Sequence, residues 1–119
     1  MRAGADHHPS ARAALAHLLR TTGRLEEARE VLETGAAKGE VESWLPLGNL
    51  YADELGDPDA AGAAYRSGIA AGDDHSHHDL ARLLVDRGDL DGAEFHLRLG
   101  AAGGDALAAA ALRRLVGED

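Results

Sequence analysis

Apolar residues recur along this chain with two periods, one nested in the other. At short range they fall at i, i+3 and i+4: Leu15, Leu18 and Leu19; Leu47, Leu50 and Tyr51; Leu80, Leu83 and Leu84; Leu112, Leu115 and Val116. That spacing lines one face of a 3.6-residue helix. At long range, the leading leucines Leu15, Leu47, Leu80 and Leu112 stand 32, 33 and 32 residues apart. A second set of helical stripes lies between them: Leu25, Ala28, Val31 and Leu32; Ala61, Ala64, Tyr65 and Ile69; Leu90, Ala93, Leu97 and Ala101. A repeat of this length, in which each unit is one supersecondary motif, is the signature of a stacked array.

Glycines punctuate the array. Gly23, Gly56 and Gly88 follow the first stripe of each unit, and Gly39, Gly72 and Gly104 follow the second. The pattern predicts seven helices, three antiparallel pairs plus a final capping helix, in an all-α solenoid of αα-hairpins. The expected boundaries are a leader over 1–9 and a single repeat domain over 10–119. Its repeats span about 10–40, 41–73 and 74–105, with the capping helix over 106–116. Ser10 is the expected N-cap of the first helix, Pro58 suits a helix start, and Asp105 opens the last helix. Pro46 is discordant. It is harmless in a first turn capped by Ser43 and bends the helix if that helix starts at Val41. Gly35, Gly68 and Gly100 fall inside the second helices, where glycine costs about 1 kcal/mol against alanine. Their repetition predicts a helix crossing too close for a methyl group.

Composition narrows the class. Of 119 residues 45% are apolar but only 3% aromatic, so the core is built of Ala and Leu with a few Val. The net charge of −9 argues against non-specific nucleic-acid binding, which needs a basic footprint, and favours basic partners. No cysteine is present, which excludes disulfides and thiolate metal sites. No apolar run is long enough to span a membrane, and a cytoplasmic protein is expected.

The second unit carries Trp44, Leu47, Gly48 and Tyr51, then Ala61 and Tyr65. The first offers Leu15, Ala16, Leu19, Ala28 and Leu32, and the third Leu80, Ala81, Leu84, Ala93 and Leu97. From about Ser10 to Val116 the chain resembles the tetratricopeptide repeat (TPR) family. The runs Leu-Gly-Asn-Leu-Tyr and Ala-Ala-Gly-Asp are also similar to the related Sel-one-like repeat. Two features depart from the family pattern: Gly replaces Ala late in the second helix, and Glu40, Asp73 and Asp105 replace the closing proline.

The resemblance implies a right-handed superhelix whose first helices line a concave groove. Mapped onto this chain, the groove presents Ala13, His17 and Arg20, then Leu45, Asn49 and Asp53, then His75, His78, Arg82 and Asp86, and finally Arg114. His17, Asn49, Arg82 and Arg114 would form a polar row, with Arg82 and Arg114 anchoring an acidic group and Asn49 contacting backbone. Leu45 with Ala13 would supply an apolar floor. The family's two-carboxylate clamp is not expected, because its positions read Ala13, His17, Pro46, His75 and Asp79.

The run Asp73 to Asp79 places His75, His78 and Asp79 on one helical face, a spacing that can hold Zn²⁺ or Ni²⁺. A polar helix start with an Asp cap and solvated histidines explains the same residues, so no metal and no cofactor are expected. His7 and His8 fall in the leader, and His17 and His96 are lone histidines on separate helices. Glu26 and Glu30 read as a solvated face, and Trp44 and Tyr51 as core. The expected function is a non-enzymatic protein–protein interaction module binding a peptide or protein in the groove, without nucleic acid or membrane partners. The alternative is a homodimer formed through the array ends, where the capping helix holds Ala106 and Ala108 to Ala111. A metal-binding protein using the His cluster stands third.

Overall fold

A computed structural model describes residues 9–73 and 75–117. Seven α-helices follow one another: α1 Pro9–Thr21, α2 Leu25–Ala37, α3 Trp44–Asp53, α4 Pro58–Ala70, α5 Ser76–Asp86, α6 Leu90–Ala102 and α7 Ala106–Val116. One 3-10 turn, Val41–Ser43, precedes α3, and the described residues contain no strand. Helices α1/α2, α3/α4 and α5/α6 pack as hairpins, and α7 packs on α6. The result is elongated, 52 × 27 × 21 Å, as a stack of units that touch only their neighbours must be.

The expected leader, with His7 and His8, lies outside the described residues except for Pro9, which opens α1. Ser10 therefore sits in the first turn of α1 instead of capping it. Pro46 stands in the first turn of α3, where the amide it lacks has no intrahelical partner. The 3-10 turn absorbs the preceding residues, and α3 runs without a break.

Acids in the turns within and between units cap the helices or hold the turns that lead into them. Asp57 Oδ1 accepts from the Ala60 amide at 3.1 Å and Asp89 Oδ1 from the Gly92 amide at 2.9 Å. Asp73 Oδ1 accepts from the His75 amide at 3.0 Å, and Asp105 Oδ1 from the Leu107 amide at 3.0 Å. Asp73 and Asp105 thus do electrostatically what a closing proline does by restricting the backbone. The longer Glu40 instead takes Nε of Arg12 at 3.1 Å, tying the boundary back to α1. Just before these acids, Gly39 and Gly72 adopt φ of +83° and +102°, which side chains disfavour.

Two buried clusters run through the stack. One joins Ala16, Leu19, Ala28, Leu32, Leu47, Leu50 and Ala64; the other joins Ala61, Tyr65, Leu80, Ala81, Leu84, Ala93, Leu97 and Ala108. Trp44 and Tyr51 pack at the edge of the first. The expected α1 stripe needs correction, because Leu19 is buried but Leu15 and Leu18 are 44% and 59% exposed. The equivalent Leu47 and Leu80 are buried where α3 and α5 meet the second helices of the preceding pairs, α2 and α4. No described helix precedes α1.

Gly35, Gly68 and Gly100 hold the units together. A Cβ on Gly68 would lie 2.9 Å from Trp44 Cβ and 3.1 Å from Ser76 Oγ; on Gly100 it would lie 2.8 Å from Ala108 Cβ; on Gly35 it would overlap Ser43 Oγ. Ser43, Ser76 and Ala108 each follow their glycine by eight residues and are fully buried in the first turn of the next unit. Gly48 has a different reason. It lies flat under the Tyr65 ring, whereas the equivalent Ala16 and Ala81 belong to units with Leu32 and Leu97 at the position of Tyr65.

Two glycines of α4 separate propensity from packing. Gly62 faces only the mobile end of Arg66 at 3.0 Å and Leu83 at 3.5 Å, so Gly62→Ala is expected to stabilise by roughly 0.5–1 kcal/mol. Gly68→Ala is expected to destabilise by about 1–3 kcal/mol, because overpacking outweighs the propensity gain. Urea unfolding midpoints of the two variants test the sign of each effect.

Candidate functional site

The first helices of the units, α1, α3, α5 and α7, present three open clefts, and together these hold all but one of the groove residues expected from the sequence. The first cleft, of about 480 Å³, lies between α5 and α7. It brings His78, Arg82, Asp86 and Arg114 around Ala81, Val85, Leu97, Ala111 and Leu115. The second, of about 330 Å³, lies between α1 and α3 and is lined by His17, Arg20, Thr21, Asp53 and Glu54. The third, of about 550 Å³, runs along the first turns of α3 and α5 to the start of α7, with Ala13, Val41, Glu42, Leu45, Pro46, Gly72, Asp73, His75, Gly103, Gly104 and Asp105 in its walls.

Asn49 lines none of the three, and its carbonyl is occupied: Tyr65 Oη donates to Asn49 Oδ1 at 2.6 Å. Burial, with Asp79 nearby, pushes the Tyr65 hydroxyl up to about 12, so it stays a donor. The side-chain NH₂ of Asn49 is the part available to a ligand. The expected row His17, Asn49, Arg82, Arg114 is therefore interrupted. Arg20 pairs with Glu54, and Arg82 Nη2 lies 3.5 Å from Asp53 and 3.8 Å from Asp79. An acidic ligand at Arg82 must compete with Asp53, whereas Arg114 makes no ion pair among the described residues. Burial raises the Asp79 carboxyl, opposed by Arg82 and His78.

Ala13 and Leu45 meet in the third cleft, alongside Val41, Glu42, Asp73 and Asp105, none of which was expected to face the groove. The signal that could have found them is the recurring Gly-acid pair Gly39-Glu40, Gly72-Asp73 and Gly104-Asp105, which brings an acid and a bare backbone to one edge of the stack.

Among the described residues no three His, Asp or Glu side chains converge where they could hold a metal ion. His75 is exposed in the third cleft and His78 lines the first. Between them, His77 turns inward and is 5% exposed. Its Nδ1 lies 3.2 Å from Nδ1 of His96 on α6, and Phe95 meets His96 edge-on. His96, expected to be a lone histidine, is the half-buried member of a pair with His77. No helix among the described residues is long and apolar enough to cross a membrane.

With this geometry in view, the comparisons are specific. The tetratricopeptide repeat family model matches residues 9–34 and 75–99. Those two stretches carry the tetratricopeptide repeat pattern. The two matches fall on α1 with most of α2, and on α5 with most of α6; the middle unit, whose turn is one residue longer, lies outside them. Among solved structures, the Yersinia enterocolitica type III secretion translocator chaperone SycD aligns with TM-score 0.74 at 19% identity, covering 90% of this chain and 82% of that one. The Yersinia enterocolitica chaperone SycD in complex with a peptide of the translocator YopD aligns with TM-score 0.72 at 20% identity, covering 91% and 86%. PcrH in complex with the chaperone-binding region of PopD aligns with TM-score 0.75 at 21% identity, covering 91% and 90%. At these identities the likeness establishes the fold. No curated protein sequence matches the chain.

The His77–His96 pair generates a pH prediction. One Nδ1 must donate and the other accept, so a second proton would put two cations 3.2 Å apart. Burial, then His77 and Arg66, hold the His96 imidazole below its ordinary value, with Asp89 opposing. The unfolded chain takes up a proton at this histidine below about pH 6.5 while His96 in the folded chain resists it, so stability is lost as pH falls through that value. Asp79 acts in the opposite direction but only in the carboxylate range. Urea midpoints should drop between about pH 7.5 and about pH 5.5 in the native protein, and much less in His96→Asn; equal drops would remove the pair as the cause.

Proposed function

We propose that this chain is a binding module that holds a peptide or an extended protein segment against the face formed by α1, α3, α5 and α7, without catalysing a reaction. The observation that carries the reading is the set of three open clefts on that face, two with apolar walls and all three with charged or polar groups. An extended chain can lay successive side chains into such clefts while its backbone meets polar groups between them. The peptide-bound chaperones of the same fold support this use of the architecture. Within the site, Arg82 and Arg114 anchor an acidic group, Leu45 and Ala13 supply apolar contact, and the NH₂ of Asn49 meets backbone. His17, Asp53, His78 and Asp86 border the path. The site needs no cofactor, and a cytoplasmic setting suits it.

A second reading has its own observation. Leu15 and Leu18 are exposed on the outer face of α1, and a second copy covering them would make a homodimer through the array end. Light scattering tests this directly: a dimer that Leu18→Glu converts to monomer supports it, and a monomeric native protein removes it.

For the binding reading, native protein and an Arg82→Ala/Arg114→Ala double variant would be used as baits in a native lysate, with retained proteins identified by mass spectrometry. A protein held by the native bait and at least about tenfold depleted on the variant is expected, since each charge-assisted contact contributes about 1.5–3 kcal/mol. Helical circular dichroism should be unchanged, because both arginines are exposed. Identical retention on both baits would discard these two anchors.

A further inference from the structure

The third cleft differs from the other two in its charge. We propose that it takes a lysine or arginine side chain of the bound segment, so that the partner carries a basic residue where it crosses the first turns of α3, α5 and α7. This rests on the peptide-binding reading above and adds a chemical class to it.

Three observations lead there. First, the cleft carries Glu42, Asp73 and Asp105, and among the described residues no lysine or arginine pairs with any of them. Elsewhere on the same face, carboxylates are already paired: Glu54 with Arg20, and Asp53 and Asp79 with Arg82. Second, the walls beside these acids are Val41, Leu45 and Pro46. A long cationic side chain needs both parts, an apolar surface for its methylene stem and carboxylates for its head. Third, capping fixes the acids in place without exhausting them. Asp73 and Asp105 each hold a backbone amide through Oδ1, and Asp73 Oδ2 also accepts from the Ser76 hydroxyl at 3.3 Å, but an ionised carboxylate has about four acceptor sites. The head group would therefore meet oriented acceptors whose side-chain entropy has already been spent on folding. The overall charge of −9 adds long-range attraction for a basic segment and repulsion for an acidic one.

The cleft between α5 and α7 has the opposite character, with Arg82 and Arg114 at its rim. The face thus has an acidic edge and a basic cleft, and a segment with a basic residue at one place and an acidic one at another would bind in one direction only.

The test uses a displayed library of short random peptides selected on the native protein at low ionic strength. Recovered peptides are resynthesised with each Lys or Arg replaced by Gln. Affinities are measured by fluorescence anisotropy against native protein and against a Glu42→Gln/Asp73→Asn/Asp105→Asn variant. Asparagine caps helices as well as aspartate does, so the variant keeps its fold, and circular dichroism checks this. The expected result is one basic residue whose replacement weakens binding to native protein at least about tenfold. The variant should bind the parent peptide equally weakly and lose nothing further from the Gln peptide, the mark of a coupled pair.

Peptides that bind, and that weaken on Leu45→Ala, yet show no basic preference would overturn the inference and leave the groove reading standing. A basic preference that persists undiminished on the variant would place the contact elsewhere and overturn it too. Recovery of no peptide sensitive to Leu45→Ala or to Arg82→Ala/Arg114→Ala would sink the groove reading and the inference together.

Discussion

The structure depends on how closely the last turns of one helix approach the first turn of the next unit. At Gly35, Gly68 and Gly100 the backbone of a second helix meets Ser43, Ser76 and Ala108 with no room for a methyl group. A chain with 3% aromatic residues has few large side chains to bury, so its cohesion must come from many short-range contacts between small groups. Dispersion falls off steeply with separation, and a fraction of an ångström across a small-residue seam decides whether those contacts exist. Because the three seams are alike, α1, α3, α5 and α7 come to share one side of the stack. The clefts on that side follow from the glycines at its back.

Volume is balanced locally in the middle unit. The Tyr65 ring replaces the leucine found at Leu32 and Leu97, and Gly48 replaces the alanine found at Ala16 and Ala81. One position gives up the space that the other takes, as close packing requires. The Tyr65 hydroxyl then has to be satisfied, and Asn49 on the facing helix accepts from it. A packing choice therefore reaches the binding face by fixing the orientation of an amide that would otherwise be free. The same unit has a longer turn and a 3-10 entry into α3, and both irregularities stay outside the seams.

What the sequence made legible was periodic. Helix number, pairing, the crowding at Gly35, Gly68 and Gly100, and the tolerated Pro46 all follow from spacing, because a helix and a repeat each impose a period on side chains. The departures arise where an element loses the context that the period assumes. Leu15 and Leu18 continue the stripe but have no described helix to bury them. Ser10 resembles a cap, yet Pro9 can occupy a first turn itself. His77 sits in a polar run that reads as solvated, and its inward turn is set by a partner on α6 with no local signature. His96 read as lone for the same reason. The residues expected in the groove lie on α1, α3, α5 and α7 or at the start of one of them, but their division into three clefts was not visible, because it depends on how separate units approach one another.

The acids at the unit boundaries show how one residue type can serve folding and recognition together. A proline there would stop the helix and present nothing to a ligand. Asp105 caps the next helix and Asp73 holds the turn that leads into the next one, and each leaves a fixed, charged carboxylate on the edge of the face. Glu40 diverges because its extra methylene lets it reach Arg12, which pairs with it inside the stack. The acidic edge is consequently made by Asp73 and Asp105 together with Glu42, next to Leu45 and Pro46, while Glu40 is paired with Arg12. That asymmetry, produced by a one-carbon difference among three equivalent positions, gives an otherwise repetitive surface a direction.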